Sequence, residues 1–161
     1  MTREDLSKTK ELIADVVLEF YGDLEFLPKT RIGLLEHYER IGYLSDLDKF
    51  QTVYAPSDGC FLVLKNSDGI FGCGGIRRLE NNHGELVRLW LRKEIRKRGY
   101  GRMIFESLLK KCEEVGFDEV YLDTSNRCTE AIKLFRQNGF NDCHKYKESI
   151  GDVFMCKKMK P

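Results

Sequence analysis

The sequence predicts a single mixed α/β domain with elements in the order ααβββαβαββ, and three observations carry that reading. Two stretches near the start repeat apolar residues at helical spacing. A middle run, Glu85–Leu91, reads as an apolar strand that breaks into a basic, glycine-punctuated turn and then an amphipathic helix. Beyond that helix the chain alternates once more, strand then helix, before two final strands. With 161 residues the chain is long enough to build one core without disulfide staples.

Each element follows from local pattern. Residues 4–22 place Leu6, Ile13, Val17, Phe20 and Leu24 on one side, and Gly22 and Pro28 close that helix. Residues 30–41 gather Leu34, Leu35, Tyr38 and Ile41 ahead of Gly42. An irregular stretch, 43–59, contains a short helical piece near Leu47–Val53 and ends in the turn Pro56-Ser57-Asp58-Gly59. Cys60–Leu64 and Ile70–Leu79 are strands joined by Asn66-Ser67-Asp68-Gly69, and Asn81-Asn82-His83-Gly84 turns the chain into Glu85–Leu91. The helix from about Gly101 to Val115 lines up Ile104, Phe105, Leu108, Leu109 and Cys112. Glu119–Asp123 is the next strand, and the tail gives strands over Asn141–Tyr146 and Asp152–Lys158.

Composition narrows the function class. Hydrophobic residues at 42%, charged residues at 33% and a net charge of +1 argue against a dedicated nucleic-acid or membrane-surface protein. With no apolar run approaching membrane length and a polar start at Thr2–Glu11, a cytoplasmic protein is expected. Six cysteines lie mostly inside apolar runs with no C-x-x-C pair or Cys/His zinc spacing, so free thiols in a reducing compartment and no metal are expected. Charge is local: residues 92–102 carry six Lys/Arg against one Glu, whereas residues 1–50 carry seven Lys/Arg against eleven Asp/Glu. Positive charge gathered at one turn suits a compact polyanion better than a duplex.

That turn is Arg96-Lys97-Arg98-Gly99-Tyr100-Gly101-Arg102, between a strand and a helix. Glycines let the backbone fold tightly, so that successive N–H groups point outward at the positive end of the helix, where a diphosphate fits. Walker-type and dinucleotide-type glycine patterns do not match, because G-x-x-x-x-G-K-[ST] is absent and Gly99-Tyr100-Gly101 is followed by Arg102-Met103-Ile104.

The same run, read as R/Q-x-x-G-x-G/A, resembles the acetyl-CoA pyrophosphate loop of the GNAT acyltransferase superfamily. The order and spacing around it extend the resemblance over roughly residues 60–158: Glu85 early in the preceding strand, Glu119–Asp123 after the helix, then Ala131–Phe140 in place of the family's A-x-x-x-Y-x-x-x-G-F element. The resemblance implies a central, mostly antiparallel sheet flanked by helices and splayed between the family's fourth and fifth strands, here Glu85–Leu91 and Glu119–Asp123. It divides residues 1–161 into a helical acceptor-side region (1–59), a cofactor-binding core (60–125) and the last helix with the C-terminal strands (126–161). One departure is visible at once: the family opens with a short strand before its first helix, and this chain runs almost directly into a helix.

The residues implied for chemistry follow from that resemblance. Acetyl-CoA, the cosubstrate, is held by Arg96, Lys97, Arg98, Gly99, Tyr100, Gly101 and Arg102 at its diphosphate and by the backbone of Leu89, Trp90 and Leu91 along its pantetheine and thioester. Glu85, eleven residues before Arg96, stands where several members carry a general base, and a bare carboxylate at a strand's edge is the alternative. The family's usual acid, a tyrosine in the last helix, is Phe135 here, which cannot donate a proton but can pack against the cofactor. Tyr146 in the following strand, Tyr100, or solvent then supplies that proton. The family's helix-start asparagine is Cys128, with Asn126 two residues away as its replacement. Arg88, on the alternate face from Glu85, binds an acidic group of the acceptor or sits in a surface salt bridge.

The expected activity is transfer of an acetyl group from acetyl-CoA to a primary amine of a small molecule or amino acid, by direct attack in a ternary complex, with no nucleic acid or membrane partner. The alternatives are a non-catalytic acyl-CoA-binding sensor and a protein or peptide N-acetyltransferase. Homodimers are common in the family.

Overall fold

The computed structural model describes residues 2–159. Helix α1 (Asp5–Tyr21) is followed by α2 (Arg31–Ile41), two short helices α3 (Ser45–Asp48) and α4 (Phe50–Val53), then strands β1 (Cys60–Asn66), β2 (Gly69–Arg78) and β3 (His83–Leu91). Helix α5 (Tyr100–Val115), strand β4 (Glu119–Thr124), helix α6 (Thr129–Gln137) and strands β5 (Asn141–Asp142) and β6 (Val153–Lys158) complete the chain. Local chemistry sets the boundaries. The Thr30 side chain accepts from the Gly33 amide at 3.1 Å to start α2, and Gly42, left-handed at φ 66°, ends it. The Asn66 side chain accepts from the amides of Asp68 (2.7 Å) and Gly69 (3.3 Å), which closes the β1–β2 hairpin.

The six strands form one sheet in the order β1-β2-β3-β4-β6-β5. Every neighbouring pair is antiparallel except β3 and β4, which run parallel. Their ladder pairs His83 with Glu119 and stops at Leu86 with Leu122, although β3 continues to Leu91 and β4 to Thr124. The two strands therefore part beyond Leu86, and this is the splay the sequence leads one to expect. Thr2–Glu4 form no strand ahead of α1.

Two apolar clusters cover the faces. One joins α1, α2 and α3 to one side of the sheet through Leu12, Ile13, Val16, Val17, Leu34 and Leu47. The other joins α5 and α6 to the opposite side through Ile104, Phe105, Leu108, Cys112, Phe135 and Phe140. Gly74 and Gly75 thin β2 on both faces. A β-carbon on Gly74 would lie 2.9 Å from Ile104, and one on Gly75 would lie 2.8 Å from Phe61 and Tyr54. Bare backbone at that point lets α5 and the α4 segment close onto the strand beside β3.

One predicted element is much shorter than expected. Asn141–Tyr146 does not form a full strand. Only Asn141 and Asp142 pair with β6, and one further bond joins the Cys143 amide to the Phe154 carbonyl at 2.9 Å. The chain then leaves the sheet edge because its next polar side chains are taken up elsewhere: Tyr146 and Lys147 by Glu85, Ser149 by Asp123.

Candidate active site

The basic turn begins where β3 ends. After a single 3-10 turn over Lys93–Ile95 the backbone takes left-handed values at Lys97 (φ 59°) and Gly99 (φ 86°) before entering α5. Gly99 answers both demands of an anion cradle: it tolerates that φ, and a β-carbon built on it meets nothing within 4 Å, so its outer side is open. Gly101 is helical, and a β-carbon there makes ordinary contact with Leu91 at 3.5 Å, so the fold itself does not demand glycine there. The first amides of α5 have no carbonyl one turn earlier and face outward with the positive end of the helix. Lys97, Arg98, Tyr100 and Arg102 are exposed around this mouth, with Arg102 donating to Gln137 at 3.2 Å.

Arg96 is directed elsewhere. Its guanidinium forks onto Glu19 of α1 (2.6 and 2.8 Å), donates to the Leu91 carbonyl at 2.9 Å, and lies 4.8 Å over the Phe20 ring. It ties the turn to the first helix, and the cations exposed around the turn's mouth are Lys97, Arg98 and Arg102.

Between Glu85 and that turn, β3 is bulged. Cys73 pairs with Trp90 and Gly75 with Val87, so Arg88 and Leu89 together oppose Gly74. Arg88 holds a left-handed φ of 59°. The extra residue reverses the alternation that sequence spacing implies, and the expectation that Arg88 lies on the opposite face from Glu85 is corrected. Its side chain joins the acceptor-side helices: it pairs with Asp46 (3.0 Å), donates to the Tyr43 carbonyl (2.5 Å) and stacks 4.4 Å from the Tyr43 ring. Asp46 also accepts from the Tyr54 hydroxyl at 2.5 Å. Leu89 faces the α5 cluster, while Trp90 packs on the α1 side with its indole N–H buried and unpartnered among the described residues.

Glu85 is fully buried, which replaces the picture of a bare carboxylate at a strand's edge. Arg77, directly opposite on β2, approaches Oε2 with Nε at 2.8 Å and a terminal nitrogen at 2.7 Å. On Oε1, the Lys147 ammonium stands at 2.5 Å and the Tyr146 hydroxyl donates at 3.0 Å. Lys147 also reaches Asp123 of β4 at 2.6 Å, so one ammonium bridges the two strands where their ladder ends. Burial, then the Glu85 and Asp123 charges, push the Tyr146 hydroxyl well above the ordinary phenol range, and it keeps its proton. Asp46 is held below the usual carboxylate range: burial alone raises it, but Arg88 and the Tyr54 hydroxyl outweigh that effect.

The remaining residues stand apart from this cluster. Phe135 is buried in the α5–α6 core, with ring centroids 5.5 Å from Phe105 and 6.1 Å from Phe140. Asn126 is exposed, and its backbone amide donates to Asp152 at 2.8 Å. Cys128, at the start of α6, lies 3.6 Å from the Tyr21 hydroxyl at the end of α1. Sequence reasoning missed Arg77, Lys147, Asp46 and Tyr54. Arg77 was within reach: a β2–β3 turn centred on Asn81 sets Arg77 against Glu85. Among the described residues, no group of three or more His, Cys, Asp or Glu is placed to hold a metal ion, and no helix is long and apolar enough to cross a membrane.

The chain as a whole has known relatives. The model of the acetyltransferase (GNAT) family matches residues 24–140. An IAA acetyltransferase of Azospirillum brasilense is 30% identical over 120 residues, covering 69% of this chain and 76% of that protein. The uncharacterized N-acetyltransferase YsnE of Bacillus subtilis is 27% identical over 97 residues, 57% of this chain, and the match spans 64% of that relative's length. In three dimensions the chain superposes on a GNAT-family acetyltransferase of Staphylococcus aureus Mu50 with a TM-score of 0.80 at 20% identity, covering 99% of this chain and 96% of that one. It superposes on the PaiA N-acetyltransferase of Thermoplasma acidophilum, solved with coenzyme A, with a TM-score of 0.75 at 20% identity and the same coverage. A family match over most of the chain, a relative at 30% identity and a shared fold agree, and the chain belongs to the GNAT family of acetyltransferases.

Proposed function

We propose that this protein transfers the acetyl group of acetyl-CoA to a primary amine of a small molecule or amino acid, by direct attack within a ternary complex. The observation that carries the reading is the junction of three features along β3: buried Glu85 where the β3–β4 ladder ends, the bulge at Arg88, and the open glycine turn at Gly99. Acetyl-CoA lies across them. The amides opening α5, with Lys97, Arg98, Gly99, Tyr100, Gly101 and Arg102, take its diphosphate, and the free edge of β3 at Leu89, Trp90 and Leu91 takes the pantetheine. The amides of the bulge polarise the thioester carbonyl.

Glu85 accepts the proton of the attacking amine through a water molecule, and Tyr146 returns one to the departing thiolate. The 3.0 Å hydrogen bond between them couples the two steps. Burial and the Glu85 and Asp123 charges hold the proton on Tyr146. Once Glu85 has taken up the amine's proton, its part of that hold is gone and Tyr146 donates more readily. Buried Phe135 takes no part as an acid.

Thermal unfolding with saturating CoA or acetyl-CoA, beside Gly99→Glu, tests the reading. Ligand at about 100 times its dissociation constant adds about 2.7 kcal/mol, or roughly 5–10 °C for a domain of this size. The substitution forces a side chain into left-handed backbone and sets a carboxylate where the diphosphate lies, so the shift disappears. A folded wild type with no shift sinks the proposal. An amine screen with Glu85→Gln then separates an enzyme, whose turnover collapses, from a sensor, whose CoA affinity is all there is to measure.

A further inference from the structure

We propose that Arg88 and Asp46 are positioning residues: their buried ion pair holds the β3 bulge in the left-handed backbone that presents the Leu89 and Trp90 amides to the thioester. The inference deepens the acetyl-transfer reading and rests on it. Arg88 carries a β-carbon, and residues of its kind are disfavoured at φ 59° in the middle of a strand. Such a conformation persists where its surroundings over-determine it, and here they do. The guanidinium reaches Asp46 through two nitrogens (3.0 and 3.4 Å), donates to the Tyr43 carbonyl at 2.5 Å and lies 4.4 Å over the Tyr43 ring. Asp46 is fixed in turn by the Tyr54 hydroxyl at 2.5 Å. The Cys73 thiol adds a bond to the backbone itself, donating to the Arg88 carbonyl at 3.2 Å. Both ends of the pair are largely buried, with side-chain exposures of 13% and 7%.

The placement of Asp46 gives the pair a second consequence. It belongs to α3, in the acceptor-side region, whereas Arg88 belongs to the strand that faces the cofactor. The clamp thus sets the distance between the surface that receives the acceptor and the backbone that holds the acetyl group.

The test compares Arg88→Gly/Asp46→Ala with Arg88→Ala/Asp46→Ala. Each double variant removes both charges together, which a fold tolerates far better than leaving one unpaired, and each loses the same contacts. They differ in one respect: glycine enters left-handed backbone freely and alanine does not. Trp90, the single tryptophan of the chain, sits two residues past Arg88 and reports the bulge by its fluorescence. Hydroxylamine serves as a small nucleophile for measuring thiol release from acetyl-CoA.

The glycine pair keeps the wild-type emission, and its turnover is the reference for the alanine pair because both lack the clamp. The alanine pair shifts the emission and turns over about five- to thirty-fold more slowly than the glycine pair, the range of the left-handed penalty, with the dissociation constant of acetyl-CoA unchanged because the glycine turn is intact. Identical emission and turnover in the two variants overturns the proposal, as does an equal loss of acetyl-CoA affinity in both. If the wild type binds acetyl-CoA but releases no thiol, the acetyl-transfer reading fails on its own, and the Trp90 emission still decides whether the pair holds the bulge.

Discussion

Replacing Glu85 with Gln leaves the shape of the site and removes one charge, and the structure gives the size of the effect. Four donors converge on two carboxylate oxygens: two from Arg77 on Oε2, and Lys147 with Tyr146 on Oε1. A glutamine offers one oxygen and one NH2. If the oxygen faces Arg77, the NH2 meets the Lys147 ammonium and the Tyr146 hydroxyl and accepts from neither. Hydrogen bonds to charged groups contribute about 1.5–3 kcal/mol each. Arg77 and Lys147 are 29% and 30% exposed, so water recovers part of the loss, and Lys147 keeps Asp123. The net cost is about 3 kcal/mol, which for a domain of this length is a fall of roughly 6–12 °C in Tm. Thermal unfolding followed by circular dichroism at pH 7 measures it directly. Adding Tyr146→Phe removes the hydroxyl left without an acceptor and recovers part of the fall. A Tm for Glu85→Gln within about 2 °C of wild type, with no recovery in the double variant, refutes the reasoning that Glu85 anchors this ion network.

Three further outcomes follow from burial. Phe135→Tyr adds a hydroxyl to a packed aromatic core, so it costs about 1–2 kcal/mol and leaves acetyl transfer unaccelerated, as paired melting and rate measurements will show. Gly84→Val sets a β-carbon 2.7 Å from the Phe117 ring and lowers the urea midpoint by an overpacking cost of about 1–3 kcal/mol. Burial pushes the Cys73 and Cys112 thiols up to about 12. Unfolded thiols release their protons near pH 8.5 while the folded ones keep theirs, so stability falls as pH rises from about 8.5 toward 12, by about 2 kcal/mol per thiol at pH 10. Iodoacetamide at pH 8 then labels these two cysteines only after denaturation.

Much of this molecule is legible in its sequence because local pattern and burial coincide. The five residues read as the inner face of the helix after the basic turn, Ile104, Phe105, Leu108, Leu109 and Cys112, are the five that are buried. The splay between Glu85–Leu91 and Glu119–Asp123 also lies where the family resemblance puts it. What escaped depends on register and on long-range charge. Spacing alone places Arg88 opposite Glu85, and only the pairing of Cys73 with Trp90 and Gly75 with Val87 reveals the extra residue. Lys147 could not be assigned to Glu85 from sequence. Its loop continues no periodic pattern, and its path is fixed by Tyr146 and Ser149, contacts that span 61 and 26 residues. Arg96 reads as a phosphate ligand until Glu19, 77 residues earlier, is seen to hold it.

That last contact ties the first helix to the basic turn. With its charge spent on Glu19 and its plane on Phe20, Arg96 acts as a mechanical link between α1 and the turn below it. On the acetyl-CoA reading proposed above, fraying at the end of α1 loosens the turn that takes the diphosphate. Anything that steadies the end of α1 stiffens the turn in the same motion, because one guanidinium carries the load between them.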